Sequence, residues 1–317
     1  MKISASLIIK NEEAMLPKCL KSIKGVDEII ITDTGSDDKS IEIAKEFGAK
    51  VYTDYTWNDN FAEARNHSKN HCTGDWLLII DGDETLESSI PVIRELLEKP
   101  VMADREAIMF YVDTGHEVNS QIRMFRNRED IEWVGAAHNL PYMRTAQGYQ
   151  RMQEIQQSTF KIKAGYSPNH EMDPDRTLRI MSKELAKGPQ VLGMNNYTRY
   201  LYYVAREYLN RRDPFKVVWF LEKYVKMAPP TNEMADAWFI LATCYTDLGE
   251  LEKAVDACLQ AVKFVPMFKA PYALLHNVAH DSVKWFWEKV FHMADNQGSL
   301  FARHDAEKLI KDYKNER

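Results

Sequence analysis

Apolar positions change period repeatedly before residue 81. Ile3 to Ile9 is a short apolar run with Ser and Ala interspersed, after which Leu16, Cys19, Leu20 and Ile23 recur at helical spacing. Glu28 to Thr32 is a second β-branched run. It ends in Asp33-Thr34-Gly35-Ser36-Asp37-Asp38, turn chemistry leading into a helix with Ser36, Asp37 and Asp38 as candidate N-caps. That helix runs from Lys39 to Phe47 and stops at Gly48. Lys50 to Thr53 reads as a third strand, Phe61 to His71 as a helix, and Asp75 to Ile80 as a fourth strand. Short apolar strands alternating with helices predict βαβ units and a parallel sheet covered on both faces. Ala107 to Val112 and Ile122 to Phe125 are further strand candidates.

Past Gly193 the period is helical throughout. Trp238, Leu241, Ala242, Tyr245, Ala254, Cys258, Ala261 and Pro266 fall on the positions of the roughly 34-residue tetratricopeptide (TPR) repeat. Leu201, Val204, Ala205, Tyr208, Val217, Leu221, Tyr224 and Pro229 fit a preceding repeat. The two terminal prolines lie 37 residues apart, with the surplus in the loop around Pro230-Thr231-Asn232. A third unit starts near Tyr272 with a degraded pattern, as a capping repeat would. Trp285, Trp287 and Phe291 mark a last amphipathic helix, read as a packing face. Arg199, Tyr200, Tyr203, Arg206, Arg211 and Arg212 form a Tyr/Arg-rich stretch. Such a stretch either tracks a nucleic-acid backbone or divides into tyrosines facing inward and arginines facing water, and the second is the commoner pattern. The domain boundary is therefore set at Gly193, giving an α/β domain over 1–193 and a helical domain over 194–317.

Composition narrows the setting. With 317 residues, 45% of them hydrophobic, the chain can bury one α/β core and a repeat array. A run of about 18 apolar residues is missing, which predicts no membrane span, and Met1-Lys2-Ile3 enters a strand where a signal peptide would differ. The net charge of −6 argues against general nucleic-acid affinity. Cys19, Cys72, Cys244 and Cys258 show no C-x-x-C and lie at helix-core spacings, so they are read as reduced thiols of a cytoplasmic protein.

The chemistry concentrates where the fourth strand ends. Leu77-Leu78-Ile79-Ile80 runs straight into Asp81-Gly82-Asp83-Glu84, three carboxylates around one glycine. Crowded carboxylates require a compensating cation, and a hard divalent ion, Mg²⁺ or Mn²⁺, brings substrate phosphates with it. Gly82 is expected to turn the backbone so that Asp81 and Asp83 address one small volume. The competing reading is an acidic turn capping the next helix through Glu84 and Glu87. Neither G-x-G-x-x-G nor G-x-x-x-x-G-K-[ST] occurs, so metal and side chains must hold the phosphates, which favours the carboxylate reading.

Four blocks in order carry a resemblance. Leu7-Ile8-Ile9-Lys10-Asn11-Glu12-Glu13, Val26 to Ser36, Phe61-Ala62-Glu63-Ala64-Arg65-Asn66, and Gly74-Asp75-Trp76 leading into Asp81-Gly82-Asp83-Glu84 resemble glycosyltransferase family 2, in the branch with a TPR extension. The resemblance implies a Rossmann-like GT-A domain and an inverting, metal-dependent sugar transfer, most simply from a UDP-sugar, by a hexosyltransferase. It assigns Asp33 to the nucleotide base, Asn11 and Glu12 to a loop beside the ribose, and Arg65 to ribose and phosphates. It assigns Asp81 and Asp83 to the DxD pair, with Asp83 as the direct metal ligand and Asp81 nearer the ribose.

A second block, Ile122 to Asn127 followed by Trp133 to His138, departs from the family pattern. The family's His-Glu pair is His138-Asn139 here, which removes a carboxylate. An inverting transfer needs a base to deprotonate the acceptor, and the candidates are His138, Asp113, Glu117 and Glu132. His138 is also a candidate third metal ligand beside Asp81 and Asp83. Lys163, ahead of Gly165-Tyr166, stands where relatives often carry His, and is either a cation for the diphosphate or a surface lysine. His170 and Glu171 are candidates for an acceptor loop. The repeats are expected to bind a peptide, saccharide or modified nucleic-acid acceptor, to form a homodimer, or to act as a scaffold. The runner-up function is a TPR interaction protein whose transferase-like domain binds nucleotide sugar without turnover, and a nucleotidyltransferase is a distant third.

Overall fold

The computed structural model describes residues 1–115, 117–168, 172–278 and Lys284. His170, Glu171, Trp285, Trp287 and Phe291 lie outside the described residues. The chain divides into two compact units, Met1–Ile180 and one from Met181 onward, a division that falls inside a helix, upstream of Gly193.

The first unit opens with β1 (Ile3–Ile9), α1 (Leu16–Ser22), β2 (Glu28–Asp33), α2 (Ser40–Glu46), β3 (Lys50–Tyr52), α3 (Phe61–Asn70) and β4 (Trp76–Ile79). Strands β3, β2, β1 and β4 lie side by side and parallel, as the apolar pattern predicts. Strand β1 is central and buried on both faces. Its Ile3, Ala5, Leu7 and Ile9 join the larger core, and on the other face Ser6 meets Ser68 of α3 at 2.8 Å. Helix α3 starts at Asn60, whose Oδ1 accepts from the Glu63 N–H while its Nδ2 donates to the Glu63 carboxylate, a reciprocal cap.

Helix α2 is capped differently from expectation. Its N-cap is Lys39, and Asp38 holds the entry by accepting from the N–H groups of Ser40 and Glu13. The acidic turn after β4 does not cap a helix either. It leads into the short strand β5 (Thr85–Leu86), and α4 (Ile90–Leu97) starts only at Ser89.

The sheet then turns mixed. The next strands are β6 (Ala107–Asp113), β7 (Val118–Arg126), β8 (Ile131–Val134), β9 (Leu140–Thr145), β10 (Gly148–Gln150) and β11 (Glu154–Lys163). The eight-stranded order is β3-β2-β1-β4-β7-β6-β11-β5, with β7 antiparallel to both its neighbours. Strands β8, β9 and β10 form a separate antiparallel meander. Helix α5 (Arg176–Leu185) carries the chain across the division between the units, and α6 (Pro189–Leu192) follows.

The second unit is helical: α7 (Met194–Asn210), α8 (Pro214–Met227), α9 (Asn232–Asp247), α10 (Leu251–Phe264) and α11 (Lys269–Val278). Most of the expected repeat positions form its core: Leu201, Ala205, Val217, Leu221, Tyr224, Leu241, Ala242, Tyr245, Ala254, Cys258 and Ala261 are buried together, Trp238 and Tyr208 pack half-buried against them, and Pro229 and Pro266 are exposed. In the Tyr/Arg stretch Tyr200 and Tyr202 are buried, Arg199 lies over the Tyr203 ring, and Arg211 pairs with Glu207. No helix of the described residues is long and apolar enough to cross a membrane.

Candidate active site

A cleft of about 580 Å³ opens in the first unit where β1 and β4 end. The C-terminal edge of a parallel sheet is where loops from neighbouring strands converge, so ligands collect there. Strand β1 contributes Lys10, Asn11 and Glu12, β4 contributes Asp81, Gly82 and Asp83, and α3 contributes Arg65. Four of the expected site residues besides Asn11 thus share one cleft: Glu12, Arg65, Asp81 and Asp83.

Asp81 is bracketed by arginines. Arg65 donates to its Oδ1 at 2.8 Å, and Arg123 of β7 stands 3.9 Å from its Oδ2. Arg65 lies over the Trp133 ring of β8, 5.0 Å from the centroid, and its neighbour Asn66 is bonded to both the N–H and the carbonyl of Trp133. Its Nε has no hydrogen-bond partner among the described residues. The block Phe61 to Asn66 therefore works as a unit: Asn66 locks the helix to the meander, and Arg65 reaches the acidic turn.

Sequence reasoning missed what holds that turn. Glu84 is buried and receives two hydrogen bonds from buried Arg123, at 2.9 and 2.6 Å, while its Oε2 also accepts from the Asp81 N–H. Burial pushes the Glu84 carboxyl up to about 7 against the pull of Arg123. For Arg123 burial acts downward, and the surrounding carboxylates, Glu84 first, outweigh it and raise its pKa. Arg123 lay in plain view within Ile122 to Asn127, but its partner is 39 residues away and in another strand.

Glycines shape the floor by being small. Gly82 does not take a left-handed φ; a Cβ there would come within 2.9 Å of the Glu12 Cγ. Gly165, beyond β11, lies against the Asp83 carbonyl so closely that a Cβ would collide with backbone. Buried Ser167, two residues on, hydrogen-bonds the Glu12 carboxyl. Glu12 is 8% exposed, its Oε2 has no partner among the described residues, and burial pushes its pKa up to about 7; Ser167 opposes this, and Asp83 and Asp81 add to it.

The other expected residues are placed elsewhere. Asp33 is buried at the end of β2, its Oδ2 accepting from the N–H groups of Gly35 and Ser36 and its Oδ1 without a partner among the described residues. It is not among the residues lining the cleft. Asn11 lines the cleft with a left-handed φ of 54°, but its side-chain amide is exchanged with Asp37, so it clamps the β2–α2 loop. Asp113 accepts from the Gly115 N–H, Glu117 from Asn119, and Glu132 from the Tyr149 hydroxyl. His138 is exposed with a left-handed φ of 47°. None of Asp113, Glu117, Glu132, His138 or Lys163 lines the cleft.

A divalent ion fits this floor in one form. Among the described residues no three His, Cys, Asp or Glu side chains gather into an ion cage, so Asp81, Asp83 and His138 do not make the expected three-ligand set. The carboxylates present, with Glu12 carrying an unpartnered buried oxygen, suit Mg²⁺ or Mn²⁺ held by one or two of them plus substrate phosphate oxygens and water.

A family model matches the part of the chain that holds the cleft. The sequence model described as glycosyl transferase family 2 matches residues 4–186. A TPR repeat-containing protein of Synechococcus elongatus is 40% identical over 147 residues, covering 44% of this chain and 35% of that protein. The SPbeta prophage-derived glycosyltransferase SunS of Bacillus subtilis is 29% identical over 147 residues, covering 44% of this chain and 34% of its own. The chain thus spans about a third of the length of these curated relatives. Among solved structures, S. aureus TarS aligns with 83% of this chain and 55% of its own at 13% identity, with a TM-score of 0.47. The half-parallel sheet, the DxD turn at its C-terminal edge and a family match over more than half of the sequence lead to one conclusion: the chain belongs to glycosyl transferase family 2, with a GT-A domain followed by TPR-like helices.

Proposed function

We propose that this chain is an inverting, metal-dependent glycosyltransferase that moves a sugar from a nucleotide-diphospho-sugar, in our reading a UDP-sugar, to a hydroxyl or thiol acceptor. The observation that carries the proposal is the meeting of Glu12, Arg65, Asp81 and Asp83 in one cleft at the C-terminal edge of the parallel strands. The names of the relatives, a TPR repeat-containing protein and a glycosyltransferase, support it.

In this reading the departing nucleoside diphosphate gains negative charge, and the bound Mn²⁺ or Mg²⁺ supplies electrostatic stabilisation of that charge. Asp83, with Asp81 beside it, holds the ion. Arg65, oriented by Asp81 and the Trp133 ring, keeps donors for ribose and phosphate. Glu12 accepts from a ribose hydroxyl. The TPR-like helices present the acceptor or pair two chains. Four buried, free thiols suit a reducing, cytoplasmic setting.

A second reading is binding of nucleotide sugar without turnover. It is favoured by the position of Asp113, Glu132 and His138, all candidate bases and all outside the cleft lining. Calorimetric titration with UDP, GDP and CDP, with and without Mn²⁺, followed by donor hydrolysis with UDP-glucose and UDP-N-acetylglucosamine, separates the readings. We expect Mn²⁺-dependent UDP binding that is lost in Asp83→Ala, together with slow sugar release. Binding without release in the presence of any acceptor supports the second reading, and no nucleotide binding at all removes the enzyme.

A further inference from the structure

Two of the arginines lining the cleft are paired with carboxylates. Arg65 is matched by Asp81 at 2.8 Å. Arg179 is matched by Asp173, which takes both guanidinium NH groups at 3.0 and 2.8 Å, and by Asp59 at 3.5 Å. Arg176, the first residue of α5, lines the same cleft and differs. Its guanidinium lies over the Phe61 ring, 5.2 Å from the centroid, and its buried Nε has no hydrogen-bond partner among the described residues. Stacking on a ring engages the face of a guanidinium and leaves its N–H edge to other partners. Asp173 is within its electrostatic reach, but that carboxylate is already held by Arg179.

Asp173 also feels Lys10, which lines the same cleft as Arg176. The same cleft has an acidic floor. Glu12, Asp81 and Asp83 repel a diphosphate, and Asp81 offsets part of the charge that Arg65 brings to the phosphates. A divalent ion offsets the floor; a further cation is then needed for the remaining phosphate charge. We propose that Arg176 binds the diphosphate of the nucleotide donor, an inference that rests on the nucleotide-sugar reading above. The planar fork of donors matches phosphate oxygens, and the Phe61 ring fixes its plane before the ligand arrives, which lowers the ordering cost of binding.

The test is titration of the full chain with UDP and, by ligand-observed NMR, with uridine, both in Mn²⁺, for wild type, Arg176→Gln and Arg176→Lys. Arg176→Gln is expected to weaken UDP about 10- to 100-fold while uridine binds as in wild type. Arg176→Lys, which keeps the charge without the fork, should fall between the two. Lys also carries the test if Gln lowers the melting temperature. Unchanged UDP affinity in the variants, or equal loss of UDP and uridine, overturns the proposal; the first outcome would turn Arg176 towards an anionic acceptor. A wild-type chain that binds none of UDP, GDP and CDP fails the nucleotide-sugar reading and takes this inference with it.

Discussion

Glu12 ties the acidic floor to protein stability. Its pKa of about 7 lies above the ordinary 4.5, so between those values the folded chain keeps a proton that the unfolded chain has released. The resulting stabilisation is fully present below about pH 4.5 and is lost as the pH rises through 7. Urea unfolding without metal should therefore show stability falling from about pH 5 to about pH 8. In Glu12→Gln the fall should be shallower by an amount on the order of 2–3 kcal/mol. The remaining slope belongs in part to Glu84, raised in the same direction. An equal slope in wild type and variant would mean that Glu12 is not the group that titrates. The same residue shows what the sequence conceals: Glu12 was legible as a candidate from its block, but its proton affinity depends on Ser167, Asp81 and Asp83, which only folding brings together.

Among the elements, the helical repeats depend on small residues. Ala242 of α9 is completely buried in a cluster with Ala254, Ala257, Cys258 and Ala261 of α10, and these short side chains let the two helices approach. Ala242→Leu is expected to cost about 1–3 kcal/mol by overpacking, read as a lower melting temperature by circular dichroism. A melting temperature equal to wild type would mean that the interface has room the buried cluster does not show. These helices were legible because their spacing repeats; the β8–β10 meander was not. Its strands are short, β10 is wholly exposed, and inward alternation is limited to Ile131 and Trp133 of β8, yet it supplies the Trp133 ring beneath Arg65.

For the whole molecule, the four cysteines, Cys19, Cys72, Cys244 and Cys258, are free and buried. Burial pushes the thiols of Cys72, Cys244 and Cys258 up to about 12, and that of Cys19 well above its usual value. The native chain should hence react with fewer than one equivalent of a thiol reagent, and with all four thiols in guanidinium chloride. Rapid labelling of the native protein would show that one of the two units opens readily.

The linear sequence determined the parallel half of the sheet, the repeat helices and the identity of the acidic turn, because strand alternation, repeat spacing and the DGD run are local signals. Folding decided the rest. Arg123 crosses from an antiparallel strand to hold Glu84, Gly165 and Ser167 close the floor from beyond β11, and Arg176 enters from α5. Folding also left Asp113, Glu132 and His138 outside the cleft. Each of these facts depends on how residues far apart in the chain are placed by strand order and register, which no local pattern of side chains encodes.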